Sequence, residues 1–210
     1  MRGLSIGSIQ PYTGVSGAVA QSLAVMWKHF PSFSAGIILV STVQFFNACM
    51  LEQETRSVML HKRAFRFVEY RRGLSGEAEA FVCFIWPVDH FPDPKTYLRA
   101  MPDAVRYLNI TNDILSFYKE ELAGETGTYV HDRAFTTRST LLQTISQAVN
   151  EAIATAERIR KLLGKGAARD AWDSFERGYT TFHLLSPRYR LQEILGGEYM
   201  IDLDTISIGS

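Results

Sequence analysis

The sequence predicts an all-α fold. Apolar residues recur at three- and four-residue steps through successive segments, which is the helical period. Pro, Gly and Ser fall where such helices would stop. Hydrophobic residues make up 46% of the 210-residue chain and aromatics 12%, which suits one domain with a sizeable core and argues against disorder.

Taken in order, residues 1–16 are rich in Gly, Ser and Pro and read as an irregular arm. They lack a basic stretch followed by an unbroken apolar core, so no secretory signal is expected. Helical periodicity begins near Gly17, with Ala18, Leu23, Val25, Met26 and Phe30, and stops at Pro31. A second helix, over about residues 34–54, is apolar nearly all round and should sit centrally in a bundle. Ser41, Thr42, Gln44 and Asn47 interrupt its apolar run, so a buried helix is expected there and not a membrane span.

Residues 61–72 are basic and aromatic: His61, Lys62, Arg63, Arg66, Arg71 and Arg72 among Phe65, Phe67 and Tyr70. Basic–aromatic interleaving is one route to nucleic-acid binding. Here 22 Lys+Arg balance 22 Asp+Glu at a formal net charge of +0, so a solvated helix face is expected, with neither nucleic acid nor membrane as partner. A helix through Phe84 follows, and Trp86-Pro87 opens a polar loop. Asp93 then Pro94 reads as an N-cap with proline at the first helical position. The next helical segment carries Tyr97, Leu98 and Met101, is bent or broken at Pro102, and continues to about Leu122, where Gly124 and Gly127 end it.

Residues 125–138 read as a polar loop. The following helix, about residues 139–163, carries Leu142, Ile145, Val149, Ile153, Ala156 and Ile159 on one face and stops at Gly164 and Gly166. The last helix starts near Ala167 with Trp172, Phe175, Tyr179, Phe182 and His183, the histidine being expected as a core or cavity residue. Ser186-Pro187 reads as a further helix start, with Arg188 and Tyr189 in a first turn whose dipole favours an anion. Residues 196–210 form a divergent tail. None of the five histidines has zinc-ligand spacing. Cys49 and Cys83 lack paired spacing and read as free buried thiols of a reducing, cytoplasmic setting.

The stretch that organises the chain is Asn112-Asp113-Ile114-Leu115-Ser116-Phe117-Tyr118-Lys119-Glu120. Asn112, Ser116 and Glu120 stand at i, i+4 and i+8, so they share one stripe of a helix, spread over roughly 12 Å of its axis. Side chains on a helix lean toward its N-terminus, so the long Glu120 reaches back toward the Ser116 hydroxyl. An amide oxygen, a hydroxyl and a carboxylate are hard donors that suit Mg²⁺ sharing its shell with water and phosphate. The competing reading is the solvated face of an amphipathic helix.

NDILSFYKE resembles, at every position, the second metal motif of class I terpene cyclases, (N/D)-D-x-x-(S/T)-x-x-x-E, and the chain is most similar to the fungal trichodiene synthase family. The resemblance covers about residues 20–195 and implies part of an all-α class I terpenoid synthase bundle, residues 17–195, with Mg²⁺ on Asn112, Ser116 and Glu120. It implies diphosphate contacts from Arg72, Lys119, Arg188 and Tyr189. Arg72 matches by register counted back from Trp86-Pro87, with Arg71 one residue out and still open; a guanidinium fork suits phosphate oxygens. For Lys119 the alternative is a solvated lysine. Asp113 matches the motif but points off the stripe and is expected to bond a neighbour. Phe45 and Phe46 fall on the helix that lines the family's aromatic cavity, with ordinary core packing as the alternative.

The implied reaction is Mg²⁺-dependent ionisation and cyclisation of farnesyl diphosphate. The family's aspartate-rich first motif has no counterpart, because no aspartate precedes Asp89. Half a bundle leaves the cavity open to water, so this chain alone is expected to turn over slowly or not at all, and its exposed apolar face to need a partner, a homodimer being one form. The alternatives are a non-catalytic diphosphate-binding or dimerising protein, and a helical protein without ligand.

Overall fold

The computed structural model of the chain describes residues 14–75 and 77–196. Among them are eight α-helices and no strand, so the fold is all-α. The helices are α1 (Gly14–His29), α2 (Ser32–Thr55), α3 (Phe65–Ser75), α4 (Ala78–Phe84), α5 (Met101–Ala123), α6 (Tyr129–Thr137), α7 (Leu141–Leu163) and α8 (Ala167–Leu185). Short 3-10 turns cover Pro94–Thr96, Leu98–Ala100 and Leu191–Glu193. The expected arm lies outside the described residues up to residue 13, and residues 14–16 belong to α1. The expected tail lies outside them from residue 197.

Helix α5 is the axis. Its Ala104, Leu108 and Ile110 are buried, and Pro102 sits in its first turn, where the missing N–H costs nothing. Pro102 therefore starts this helix and does not bend a longer one. Asp93 caps as expected, its carboxylate accepting from the Lys95 N–H, but the turn it caps is 3-10. At the other end Gly124 takes the left-handed conformation (φ 66°), and the Glu125 N–H bonds the Glu120 carbonyl at 3.0 Å. Trp86 closes one end of the core. It stacks on Tyr97 (4.6 Å between ring centres) and donates from its indole to the Ala168 carbonyl at 3.1 Å.

Three expectations are corrected. Residues 125–138 are no loop: α6 occupies most of them, because Tyr129, Val130 and Ala134 give that polar stretch a buried side. The buried face of α7 is Thr144, Ala148, Ala152, Thr155, Ala156 and Ile159, while Leu142, Val149 and Ile153 are exposed. Small side chains let α5 and α7 approach closely, so the larger ones move to the rim. The third correction concerns α2, which does not sit centrally. It packs on α1, α3 and α4 through Ser34, Ala35, Ile38, Ser41 and Ala48, while Phe33, Val40 and Met50 face outward. It is the one helix among the described residues long and apolar enough, by length and composition, to cross a bilayer.

A polar clamp fixes α3, α6 and α7 around α5. Arg106 donates to Glu69 at 2.8 Å and to Glu151 at 2.6 Å; Arg133 donates to Glu151 at 3.0 Å, and the Tyr129 hydroxyl donates to Glu69. Burial works against the Arg106 charge, but Tyr129, Glu151 and Glu69 together outweigh it and hold its pKa above the usual value.

Candidate functional site

The stripe predicted on α5 faces inward. Ser116 is 3% exposed, and Asn112, Lys119 and Glu120 are partly buried. Asn109 adds a fourth polar residue one turn earlier: it is buried, and its Oδ1 has no hydrogen-bond partner. A helix gains nothing in stability from burying such an atom unpaired, so the lone Asn109 oxygen beside the polar stripe fits a ligand surface.

Arg72 of α3 reaches this stripe. Its Nε lies 2.8 Å from the Asp113 carboxylate, and one terminal nitrogen donates to the Asn109 carbonyl at 2.9 Å and to Asn112 Oδ1 at 3.5 Å. Asp113 thus bonds a neighbour, as its position off the stripe predicts. Burial pushes the Asp113 carboxyl up to about 6, against the charge and hydrogen bond of Arg72, and the nearby Glu120 adds to the rise. Arg71 leaves the same helix in another direction: it pairs with Asp132 and donates to the Gly127 carbonyl. Of the two arginines, Arg72 is the one joined to the motif.

At the far end of the stripe Lys119 Nζ lies 3.1 Å from Glu120 Oε1. On the other flank His183 of α8 is buried between Tyr179 and Tyr189, with ring centres 4.4 and 4.3 Å away. Its Nε2 lies 3.4 Å from Asn112 Nδ2 and its Nδ1 2.8 Å from the Tyr179 carbonyl oxygen. Burial lowers the His183 pKa and the charge of Arg188 lowers it further, against the bond to Tyr179. Tyr189 is therefore joined to Asn112 through His183.

The helix start expected at Ser186 is not formed. Ser186 ends α8, residues 187–189 make a turn, and Arg190 sits at φ 59°, which breaks any helical run before the 3-10 turn Leu191–Glu193. Arg188 and Tyr189 therefore do not stand in the first turn of an α-helix. Arg188 is exposed, its guanidinium 6.0 Å from the Tyr189 ring centre. Phe45 and Phe46 are half-buried on α2, 6.3 Å apart, on a helix that packs on α1, α3 and α4. An apolar groove of about 310 Å³ lies elsewhere, lined by Tyr107, Ile114, Val149 and Ile153 among others.

Among the described residues no three His, Cys, Asp or Glu side chains gather as a metal centre. The oxygen set of Asn112, Ser116 and Glu120, with the unpartnered Asn109 oxygen beside it, has the hard-donor chemistry that Mg²⁺ takes. The sequence reading missed His183 as a partner of the motif and passed over Asn109 and Arg106. The step of four from Tyr179 to His183 places the imidazole next to the aromatic row, but no spacing rule pairs it with Asn112 across two helices.

The family described as Trichodiene synthase (TRI5) matches residues 14–205. Terpene synthase 29 of Postia placenta is 53% identical over 82% of this chain and 51% of its own length. Monoterpene synthase 25 of the same fungus is 45% identical over 93% of this chain and 59% of its own. Alpha-cuprenene synthase COP6 of Coprinopsis cinerea is 35% identical over 84% and 54%. The chain spans about half the length of the curated relatives it matches. On the family match and these identities, the chain belongs to the trichodiene synthase family of terpene synthases.

Proposed function

We propose that this chain carries the diphosphate-binding wall of a sesquiterpene cyclase-like site acting on farnesyl diphosphate. Its supporting observation is the inward stripe of α5, met by Arg72 from one side and by the His183–Tyr189 pair from the other. In this reading residues 17–195 are an incomplete terpenoid-synthase-like helical domain, and the protein works in the cytoplasm.

Asn112, Ser116 and Glu120 would hold Mg²⁺, which when bound supplies Lewis-acid neutralisation of the leaving diphosphate. Arg72, Arg188 and Lys119 donate to phosphate oxygens, and the Tyr189 hydroxyl adds a neutral donor. Arg72 arrives oriented by Asp113, so it spends little entropy in binding. Heterolysis of the carbon–oxygen bond leaves the electron pair on diphosphate and an allylic cation on the isoprenoid. Aromatic faces such as Phe45 and Phe46 stabilise that cation in a dry cavity.

The test incubates the chain with Mg²⁺ and farnesyl diphosphate, geranyl diphosphate in parallel, and assays volatile hydrocarbons. Thermal stabilisation by inorganic diphosphate is followed with and without Mg²⁺. Magnesium-linked stabilisation is expected in the parent and its loss in Glu120→Ala. A Glu120→Ala variant that matches the parent in both assays would sink the assignment. A second reading, a non-catalytic diphosphate-binding or dimerising protein, draws on the outward apolar side of α2; it predicts the same stabilisation with no hydrocarbon product from either substrate.

A further inference from the structure

We propose that His183 is a positioning residue that sets which way the Asn112 amide faces. The Tyr179 carbonyl only accepts, and it lies 2.8 Å from His183 Nδ1, so Nδ1 carries the proton. In the neutral ring Nε2 is then an acceptor, and it lies 3.4 Å from Asn112 Nδ2, a donor. The opposite end of the same amide, Oδ1, faces the Arg72 guanidinium, which only donates.

Turning the amide by 180° would set Oδ1 against the Nε2 lone pair and the NH₂ against the guanidinium. Both contacts would become repulsive, so imidazole and guanidinium select one orientation between them. Tyr179 and Tyr189, at 4.4 and 4.3 Å, pack on the ring and oppose its rotation. Asn112 therefore presents its oxygen on the Arg72 side before any ligand arrives, a second layer of support such as ligating groups elsewhere depend on. This rests on the reading of Asn112 as a magnesium ligand.

Two variants separate orientation from packing. His183→Phe keeps a ring between the tyrosines and removes both nitrogens. His183→Gln can donate to Tyr179 and accept from Asn112. The Mg²⁺ concentration needed for stabilisation by inorganic diphosphate should rise about 10–100-fold in His183→Phe and stay near the parent in His183→Gln. In the metal-free chain, nitrogen NMR should show His183 protonated at Nδ1 only, and the Asn112 side-chain amide resonances should move in His183→Phe.

Variants that both titrate as the parent does would overturn the inference and leave the functional reading standing. So would an Nε2–H tautomer in the parent, which needs no variant to fold. A parent with no magnesium response would end the functional reading and the magnesium half of this one, while the metal-free spectra still decide the orienting half.

Discussion

Helices α2 and α5 are nearly the same length, 24 and 23 residues, but differ in what they cover and what they leave exposed. The buried set of α5 includes Asn109, Thr111, Asp113 and Ser116. Helix α2 leaves Phe33 and Val40 each 59% exposed. The contrast teaches that burial follows neighbours more than composition. Helix α5 is enclosed by α4, α6, α7 and α8, so much of its polar side is covered too; Arg72 pairs there with Asp113, and Glu69 and Glu151 pair with the helix's own Arg106. Helix α2 has described neighbours on one side, so apolar side chains on the other stay in contact with solvent.

Removing the cation that pairs with the polar side of α5 should have the largest effect. Arg72→Met leaves the Asp113 carboxylate buried and alone, since both side chains are 11% exposed in the pair. A loss of about 3–5 kcal/mol is expected in urea unfolding, and pairing the change with Asp113→Leu should recover most of it. A loss below about 1 kcal/mol would show that the pair contributes no more than a surface bridge.

On the apolar side of the same helix, Ile110→Ala removes a fully buried side chain and should cost about 2–5 kcal/mol by the same measurement. Glu151→Gln should cost less, about 1–3 kcal/mol, because the carboxylate is 33% exposed in its pairs with Arg106 and Arg133. It also has a pH signature. Burial alone would raise the Glu151 pKa, but the hydrogen bonds and charges of Arg106 and Arg133 outweigh it and hold it below the usual value. The folded chain therefore binds this proton less readily than the unfolded chain. Its contribution is present above the unfolded pKa and fades as pH falls through the folded one. Unfolding midpoints from neutral to acid should fall less steeply in Glu151→Gln than in the parent.

The smallest change in stability belongs to α2. Val40→Ser should alter stability by no more than about 0.5 kcal/mol and should reduce self-association in light scattering. A larger loss would mean that this side is packed in solution.

Much of the fold was legible because helix ends carry their own chemistry: Gly124 and Gly164 each act through backbone groups beside them. The face of α7 was legible only in part: Ala156 and Ile159 are buried as expected, but Ala148 and Ala152 are chosen by how closely α5 approaches and not by hydrophobicity. Helix α6 was hidden for a related reason: Tyr129 and Arg133 look like loop residues until Glu69 and Glu151 arrive from elsewhere in the chain. Near the motif, the shared stripe of Asn112, Ser116 and Glu120 was legible as spacing, and the place of Arg72 beside it only through the family resemblance. The pairing of Asn112 with His183 was not, because it joins residues 71 apart on two helices. Ser186-Pro187 has the composition of a helix start, yet the left-handed Arg190 cancels it three residues on.

The neighbours Arg71 and Arg72 leave α3 for different destinations, one to Asp132 and the Gly127 carbonyl, the other to α5. Both sit on one eleven-residue helix, so the seat of α3 against α5 and its seat against the segment that opens α6 are fixed together by adjacent side chains.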